Sequence, residues 1–390
     1  MALTLTKIGS EVSTEKLTYQ LVTNDATVTS VLMKVYIAPS ADVRHTLEHV
    51  PDFGTTDTFT FEVNSIFKDY FTFAFNPLTG SVISITENVI ATLAFYEVKS
   101  TVVSGTVNES ANVVIKNITQ DTFEIETFDF DDYDCGDTGD SSSKLLTSAP
   151  TTLDVSDGES AFLSALNVSF GGAGNSKQEW VVESYNAAGT LLGTATNDCD
   201  FPARTTGVPS ISTSLQKDIS NIRLDFDVSG GVVEQRVYIQ DQASPNTVRS
   251  ETRTFKIYEP CRNSITLTWM NEFGVQDTFT FLGNITYTGN YNDSTYTKSR
   301  PVNPSSIDVG ELVYKSDYGR EYEIYTERTT QDIVKWLSKM LRNKKAAIVY
   351  NGQYYPIVIT DKDAVLNDEF NPVTLFSLKF RLANRRKGLV

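Results

Sequence analysis

The sequence predicts a mainly β protein: two β-sandwich, immunoglobulin-like domains followed by a C-terminal α+β unit with one prominent helix. Three observations carry this. Short runs rich in β-branched and aromatic residues recur through the first two thirds, separated by Gly, Asn, Asp and Ser clusters. An acidic, Ser/Gly-rich interruption divides them near the middle. One clean helical face stands in the last third, between strong strands.

The N-terminal domain is expected over residues 1–128. Its strands are 17–22, 31–37, 58–63, 82–85, 91–98, 112–116 and 122–128, and Ile66, Phe67, Tyr70 and Phe71 share the face of a short helical turn. Residues 129–150 read as an acidic linker or loop. A second immunoglobulin-like sandwich follows over 151–258, with strands near 180–185, 190–194, 222–228, 234–239 and 253–258, and a hairpin turn at Asn186-Ala-Ala-Gly189. The Cys…Trp…Cys spacing of antibody domains is missing.

The C-terminal unit is expected over 259–390 and opens on a hairpin, Ile265–Met270 into Asp277–Phe281 across Gly274. Thr329 and Thr330 are N-cap candidates for a helix carrying Ile333, Trp336, Leu337, Met340 and Leu341. Asp332 in its first turn and Arg342, Lys344 and Lys345 beyond its end suit the helix dipole. An Asn351-Gly352 turn then joins two strands, and the last strand alternates Phe376, Leu378, Phe380 and Leu382 with polar residues. Asp57-Thr-Phe-Thr-Phe61 recurs unchanged as Asp277-Thr-Phe-Thr-Phe281; alternating Thr and Phe is ordinary strand language, and no longer repeat accompanies it.

Bulk chemistry narrows the function. The chain has 390 residues, enough for two or three cores, and its 40% hydrophobic and 21% charged content is that of a globular protein. Its net charge of −16 is uneven: 259–390 holds 17 Lys+Arg against 15 Asp+Glu, which leaves 16 against 34 for 1–258. An acidic body repels nucleic acid and anionic membrane, so sequence-independent DNA binding is disfavoured. Met1–Gly9 shows no basic-then-apolar run, so no secretory signal is expected. No apolar stretch approaches the roughly eighteen residues of a membrane span. Cys135, Cys199 and Cys261 are too few and too far apart for a disulfide framework or a zinc site.

Candidate chemistry is sparse. His45-Thr-Leu-Glu48-His49 matches the H-x-x-E-H pattern of inverted zinc peptidases, which needs a helix to bring two His to one ion. Pro39 and Pro51 bracket it, so a solvated turn is the preferred reading. Asp129, Asp131, Asp132 and Asp134 offer oxygens to a divalent ion but do not follow the EF-hand pattern; an exposed acidic loop is preferred. Gly171-Gly-Ala-Gly174 lacks the following helix of a phosphate loop. No catalytic set and no cofactor is implied. Partner contacts are expected from Trp269, from Tyr287, Tyr291 and Tyr296, and from the basic end Arg385, Arg386 and Lys387.

Two stretches carry a resemblance. The first is Ile265-x-Leu-x-Trp269-x-Asn-x-x-Gly274, Asp277-x-Phe279-x-Phe281, Ile307-Asp-Val-Gly310, Trp336-Leu337, Tyr355-Pro-Ile-Val-Ile359 and Phe380-Arg-Leu-Ala-Asn384. The second is Tyr36, Phe61-Glu-Val-Asn64 and Phe67-Lys-Asp-Tyr70. Together they resemble structural proteins of tailed phages infecting Bacteroidota, the crAss-like phages among them, over about half the chain. The resemblance implies a virion component in a ring or hub at the tail or portal vertex. Its expected partners are copies of itself and neighbouring tail or portal-vertex proteins, with no membrane and no specific nucleic acid, near packaged or passing DNA. A second reading, a carbohydrate-binding or adhesin module, follows from the aromatic-rich strands, since sugars stack on aromatic rings.

Overall fold

The structure is a computed structural model of the chain. It describes residues 4–8, 18–37, 43–55, 57–63, 66, 75–79, 82–86, 89–99, 102–113, 131–135, 140–167, 178–199, 218–242, 246–259, 264–297, 311–327, 329–341, 345–361 and 373–383. The described chain is mainly β, with several sheets and one α-helix. It divides into two compact units: Met1–Glu259 with Met270–Thr278, and Pro260–Trp269 with Phe279–Val390.

In the first unit, strands β1 (Thr4–Ile8), β2 (Thr18–Val22), β3 (Ser30–Ile37), β4 (Val43–His49), β5 (Thr58–Glu62), β6 (Ile83–Thr86), β7 (Val89–Lys99) and β8 (Val102–Val113) come first. Two antiparallel sheets form, ordered β1-β2-β5 and β4-β3-β7-β8. Period-two alternation sends Tyr19, Leu21, Phe59 and Phe61 from one sheet and Val31, Met33, Val35, Leu93 and Phe95 from the other into a single core. Phe95 meets Phe61 and Tyr19 with ring centroids 5.6 and 5.9 Å apart. Each such fully buried side chain stabilises by about 1.5–3 kcal/mol. Of the helical turn expected near residue 66, Ile66 alone lies among the described residues; it is buried in this core.

Strand β6 corrects the sequence reading. The sequence places residues 82–85 in the N-terminal sandwich, yet Ile83–Thr86 pairs with a strand over 130 residues later, Ile219↔Thr86 through Ile222↔Ile83. A four-residue alternating run such as Ile83-Ser-Ile-Thr86 encodes no particular neighbour, so its sheet is chosen by long-range pairing.

The rest of this unit adds β9 (Thr152–Ser156), β10 (Ser160–Asn167), β11 (Gln178–Tyr185), β12 (Leu191–Asp198), β13 (Asp218–Asp225), β14 (Glu234–Asp241) and β15 (Arg253–Tyr258). The sheets are β12-β11-β14-β15-β9, with β9 parallel to β15, and β10-β13-β6. Trp180, Val237, Ile239 and Phe255 from the five-stranded sheet share a core with Leu163, Ile222, Leu224 and Ile83. The Trp180 indole N–H donates to Ser220 Oγ at 3.0 Å, so the largest core side chain leaves no orphaned donor.

The expected linker at 129–150 is partly core. Cys135, Leu145 and Leu146 are fully buried, Cys135 N–H donates to Leu166 O at 2.8 Å, and Leu146 N–H donates to Ser164 O at 2.9 Å. The acidic composition conceals three buried apolar positions, two of which, Cys135 and Leu146, bond to the outer edge of β10.

The second unit contains β16 (Ile265–Met270) as far as Trp269, β17 (Gln276–Phe281) from Phe279 on, β18 (Ile285–Thr297), β19 (Glu311–Tyr325), β20 (Thr329–Thr330), α1 (Gln331–Leu341), β21 (Ala346–Tyr350), β22 (Gln353–Ile359), β23 (Val373–Thr374) and β24 (Ser377–Leu382). The large sheet is ordered β17-β16-β21-β22-β24-β19-β18. The helix buries Val334, Trp336, Leu337, Met340 and Leu341, while Ile333 is only half-buried. Trp336 lies against Trp269 and Phe279, with ring centroids 5.2 and 5.8 Å apart. Tyr322 and Phe380 stack at 5.3 Å and 3° across neighbouring strands. Asn351 (φ 49°) and Gly352 (φ 67°) form the two-residue turn between β21 and β22, the left-handed pair that Asn-Gly supplies.

The turn between β16 and β17 is counted with the first unit and is buried throughout. Phe273 and Val275 pack with Leu146, Leu166 and Ile219. Asn271 organises the turn. Its Nδ2 donates to Leu146 O (2.8 Å) and Asp277 Oδ1 (3.1 Å), and its Oδ1 accepts from Phe273 N (2.9 Å) and Val275 N (3.2 Å). Asp277 Oδ2 accepts from Thr147 Oγ1 at 3.2 Å.

Candidate assembly surfaces

The histidine motif does not form a metal-binding helix. His45 and His49 lie on β4, a strand. Residues four apart on a strand are separated by about 13 Å, against about 6 Å on a helix, so one ion cannot take both. His49 instead sets its ring edge-on to Phe61, with centroids 4.7 Å apart. Glu48 Oε1 accepts a short hydrogen bond from Ser30 Oγ, so the strand is tied to β3.

In the acidic segment, the described acids have the following partners. Asp131–Tyr133 is a 3-10 turn. Asp132 pairs with Lys144 at 2.9 Å, and the Lys144 ammonium sits 5.6 Å from the Tyr133 ring centroid. Asp134 is buried and forms an isolated bridge to Leu166. Asp140 accepts from Ser142 N and Oγ, which holds its carboxyl below the ordinary range. Among the described residues no group of three or more His, Cys, Asp or Glu could hold a metal ion. Asp129 lies outside the described residues, as do Gly171-Gly-Ala-Gly174, Cys261 and the basic end Arg385, Arg386 and Lys387.

Trp269, expected at a partner interface, is 1% exposed. On β16 its side chain points under α1 and meets Trp336, so it serves its own core. An aromatic density that reads as surface in the sequence is here the packing of helix on sheet. Tyr287 is 59% exposed, with its ring edge against Tyr322 at 5.3 Å. Tyr291 and Tyr296 belong to the same strand, β18, opposite Tyr318 and Leu312.

That strand belongs to a ribbon. β24 pairs with β19 only over Glu321–Tyr325, whereas β18 and β19 remain paired from Gly289↔Arg320 out to Thr297↔Glu311. Among the described residues, about 30 Å of this hairpin therefore has no third strand beside it. A ribbon without further strands is marginal in water by itself. The register sets Tyr287 opposite Tyr322 and Tyr291 opposite Tyr318.

The sequence reading does not single out a second surface that the structure shows. β12 is an outer strand whose residues are exposed on both faces, Asn197 being half-buried. Leu191 and Leu192 are 48% and 45% exposed. The sequence signal lies in Thr190–Asn197, which contains no charge and no Pro. Beside it, Glu183 Oε2 and Oε1 accept from the Tyr185 hydroxyl (2.6 Å) and the Tyr238 hydroxyl (3.2 Å). Partial burial, then the Glu183 charge, pushes the Tyr238 phenol up to about 12. The Arg236 guanidinium lies 4.3 Å over the Tyr185 ring and pairs with Glu234 at 2.7 Å. These phenols are thus engaged within the sheet, and one face of the Tyr185 ring is taken, which leaves a poor platform for stacking a sugar.

Among the described residues no helix is long and apolar enough to cross a membrane. No protein-family model matches the chain, and no curated protein matches it. Among solved structures it is similar to trypsin-activated alpha-2-macroglobulin from Escherichia coli, at 8% identity and a TM-score of 0.21, over 83% of this chain and 19% of that one. The chain spans about a fifth of that protein's length. A likeness at this level carries no argument about fold or function.

Proposed function

We propose that the chain is a non-enzymatic structural subunit of a phage virion, acting through subunit–subunit interfaces in a ring or hub of the tail or portal vertex. In this reading the first unit comprises two immunoglobulin-like sandwiches, the second is the α+β assembly domain, and neighbours are copies of the chain and other vertex proteins. The observation that supports it is the β18–β19 ribbon, a long hairpin that, among the described residues, extends beyond the strand paired beside it. Heterologous contact, in which an arm of one copy lies on a different face of the next, is the geometry that closes rings. The acidic body supports it as well, because a net charge of −16 keeps DNA from adhering to a wall it passes.

The test is co-expression with the neighbouring vertex proteins, followed by negative-stain imaging of the purified complex. Closed rings that contain the chain are expected. Retention of the chain on a polysaccharide column, without any complex, would favour the glycan-binding reading instead.

A further inference from the structure

Cysteines that lie far apart in the sequence come together in the fold. Cys135 and Cys199 are both buried and belong to one apolar core, with Trp180, Ala165 and Ile222. Strand register shows where they meet. Cys199 N–H donates to Gln178 O at 3.1 Å, which continues the β11–β12 pairing one step past Glu179↔Asp198. Cys199 therefore stands on the face of the five-stranded sheet that carries Trp180. Trp180 reaches across to Ser220 on β13, and the Cys199 thiol meets the same hydroxyl. Cys135 arrives beside the opposite sheet. Its N–H donates to Leu166 O at 2.8 Å, next to the Asp134↔Leu166 bridge, and Ala165 and Leu166 pair with Ser220 and Ile219. Both thiols thus enter the core at the Ala165–Ser220 end, where Ala165 contributes only a methyl group. They are unbonded in this structure. Burial, then the carboxylates of Asp134 and Glu251, pushes the Cys135 thiol up; burial, then Cys135 itself, does the same to Cys199.

We propose that Cys135 and Cys199 form a disulfide when the chain folds in an oxidising medium. The oxidant is a small disulfide such as oxidised glutathione. The thiolate of one cysteine attacks a glutathione sulfur, giving a mixed disulfide and releasing one glutathione thiolate. The thiolate of the other attacks the protein-bound sulfur and displaces the second glutathione. The cysteines lose two electrons and two protons, which leave as two glutathione thiols. The exchange needs an accessible thiolate, so it belongs to folding, before the core closes over both sulfurs. The link joins the two sheets of the sandwich. It also fastens the segment that supports the turn between β16 and β17: Lys144 N–H donates to Asp132 O at 2.7 Å, so Cys135 and Leu146 lie on one folded-back stretch, and Leu146 O accepts from Asn271. None of this depends on the virion reading.

The test is to refold the full chain from denaturant in oxidised glutathione, block free thiols with iodoacetamide and map linked peptides by mass spectrometry. Cys199 and Cys261 are about as far apart in sequence as Cys135 and Cys199, so loop closure alone favours neither pair. The expected result is a Cys135–Cys199 link at least about tenfold more abundant than Cys199–Cys261, because disulfide geometry admits only thiols that the fold brings together. In a Cys261→Ser background the oxidised chain should unfold at a higher denaturant concentration than the same chain after reduction. Comparable amounts of the two links, glutathione adducts in place of a link, or a linked chain no more resistant than the reduced one overturns the proposal. Cell-free synthesis in the same buffer, mapped in the same way, decides for a chain that refolds poorly. Ring assembly enters neither readout, so either proposal can fail alone.

Discussion

Replacing Asn271 by Ala removes the centre of the buried turn between β16 and β17. Four side-chain hydrogen bonds are lost, to Leu146 O, Asp277 Oδ1, Phe273 N and Val275 N, in a residue only 2% exposed. Each is worth about 1 kcal/mol net, and the orphaned groups are shut off from water, so the cost is about 3–4 kcal/mol. For a unit of this size that lowers the melting temperature by about 10 °C. Denaturant unfolding followed by tryptophan fluorescence reads it. A loss below about 1 kcal/mol would refute the idea that Asn271 holds the turn. Asn271→Asp sharpens the test. The new carboxyl keeps an oxygen for Phe273 N and Val275 N but turns its other oxygen toward Asp277 and Leu146 O. Two carboxyls in contact share a proton, so the folded pair titrates above the ordinary value of about 4. A raised folded pKa gives stability that is present below the unfolded pKa and lost as pH rises through the folded one. The deficit relative to wild type should therefore be least in acid and grow toward neutrality.

Gly283 donates its N–H to Tyr325 O at 3.0 Å, and a Cβ there would overlap the Tyr325 and Thr326 carbonyls; Gly283→Ala should cost about 2–3 kcal/mol, seen as early unfolding of the second unit. Burial pushes the Cys135 and Cys199 thiols well above their usual range, so in a Cys261→Ser background neither should react with a thiol reagent at mildly alkaline pH until the chain unfolds. Burial raises the Tyr133 phenol to about 12, as partial burial does for Tyr238. Their contribution is complete below the ordinary phenol value and is lost as pH rises from about 10 toward 12, which phenolate absorbance should follow as a late phase.

Much of the architecture is legible in local chemistry. The Asn351-Gly352 turn, the helix face around Trp336, and the alternation of Tyr19 with Leu21 and of Phe59 with Phe61 are short-range signals, and each appears as its residues dictate. Partnership is not legible. Ile83–Thr86 can be recognised as a strand but not assigned to β13, because nothing within four residues encodes a neighbour so far along the chain. The repeated Asp-Thr-Phe-Thr-Phe segment makes the same point. In β5 both Phe side chains are buried, whereas in β17 Phe279 is half-buried and the acid itself is covered. Trp269, expected at the surface, is buried while Tyr287 is exposed, since an aromatic on a strand reads alike in a core and on a surface. The His45 and His49 pair resembles a ligand set because a spacing of four carries that meaning only on a helix. β12 goes unmarked in the sequence because an open edge is defined by what does not pair with it.

The most direct measurement is the native mass of the purified chain, taken alone and after co-expression with its vertex neighbours. An account in which the surfaces are the function predicts a discrete multiple of 43.3 kDa that closes into a ring when those neighbours are present. A chain that remains a monomer under both conditions would contradict it.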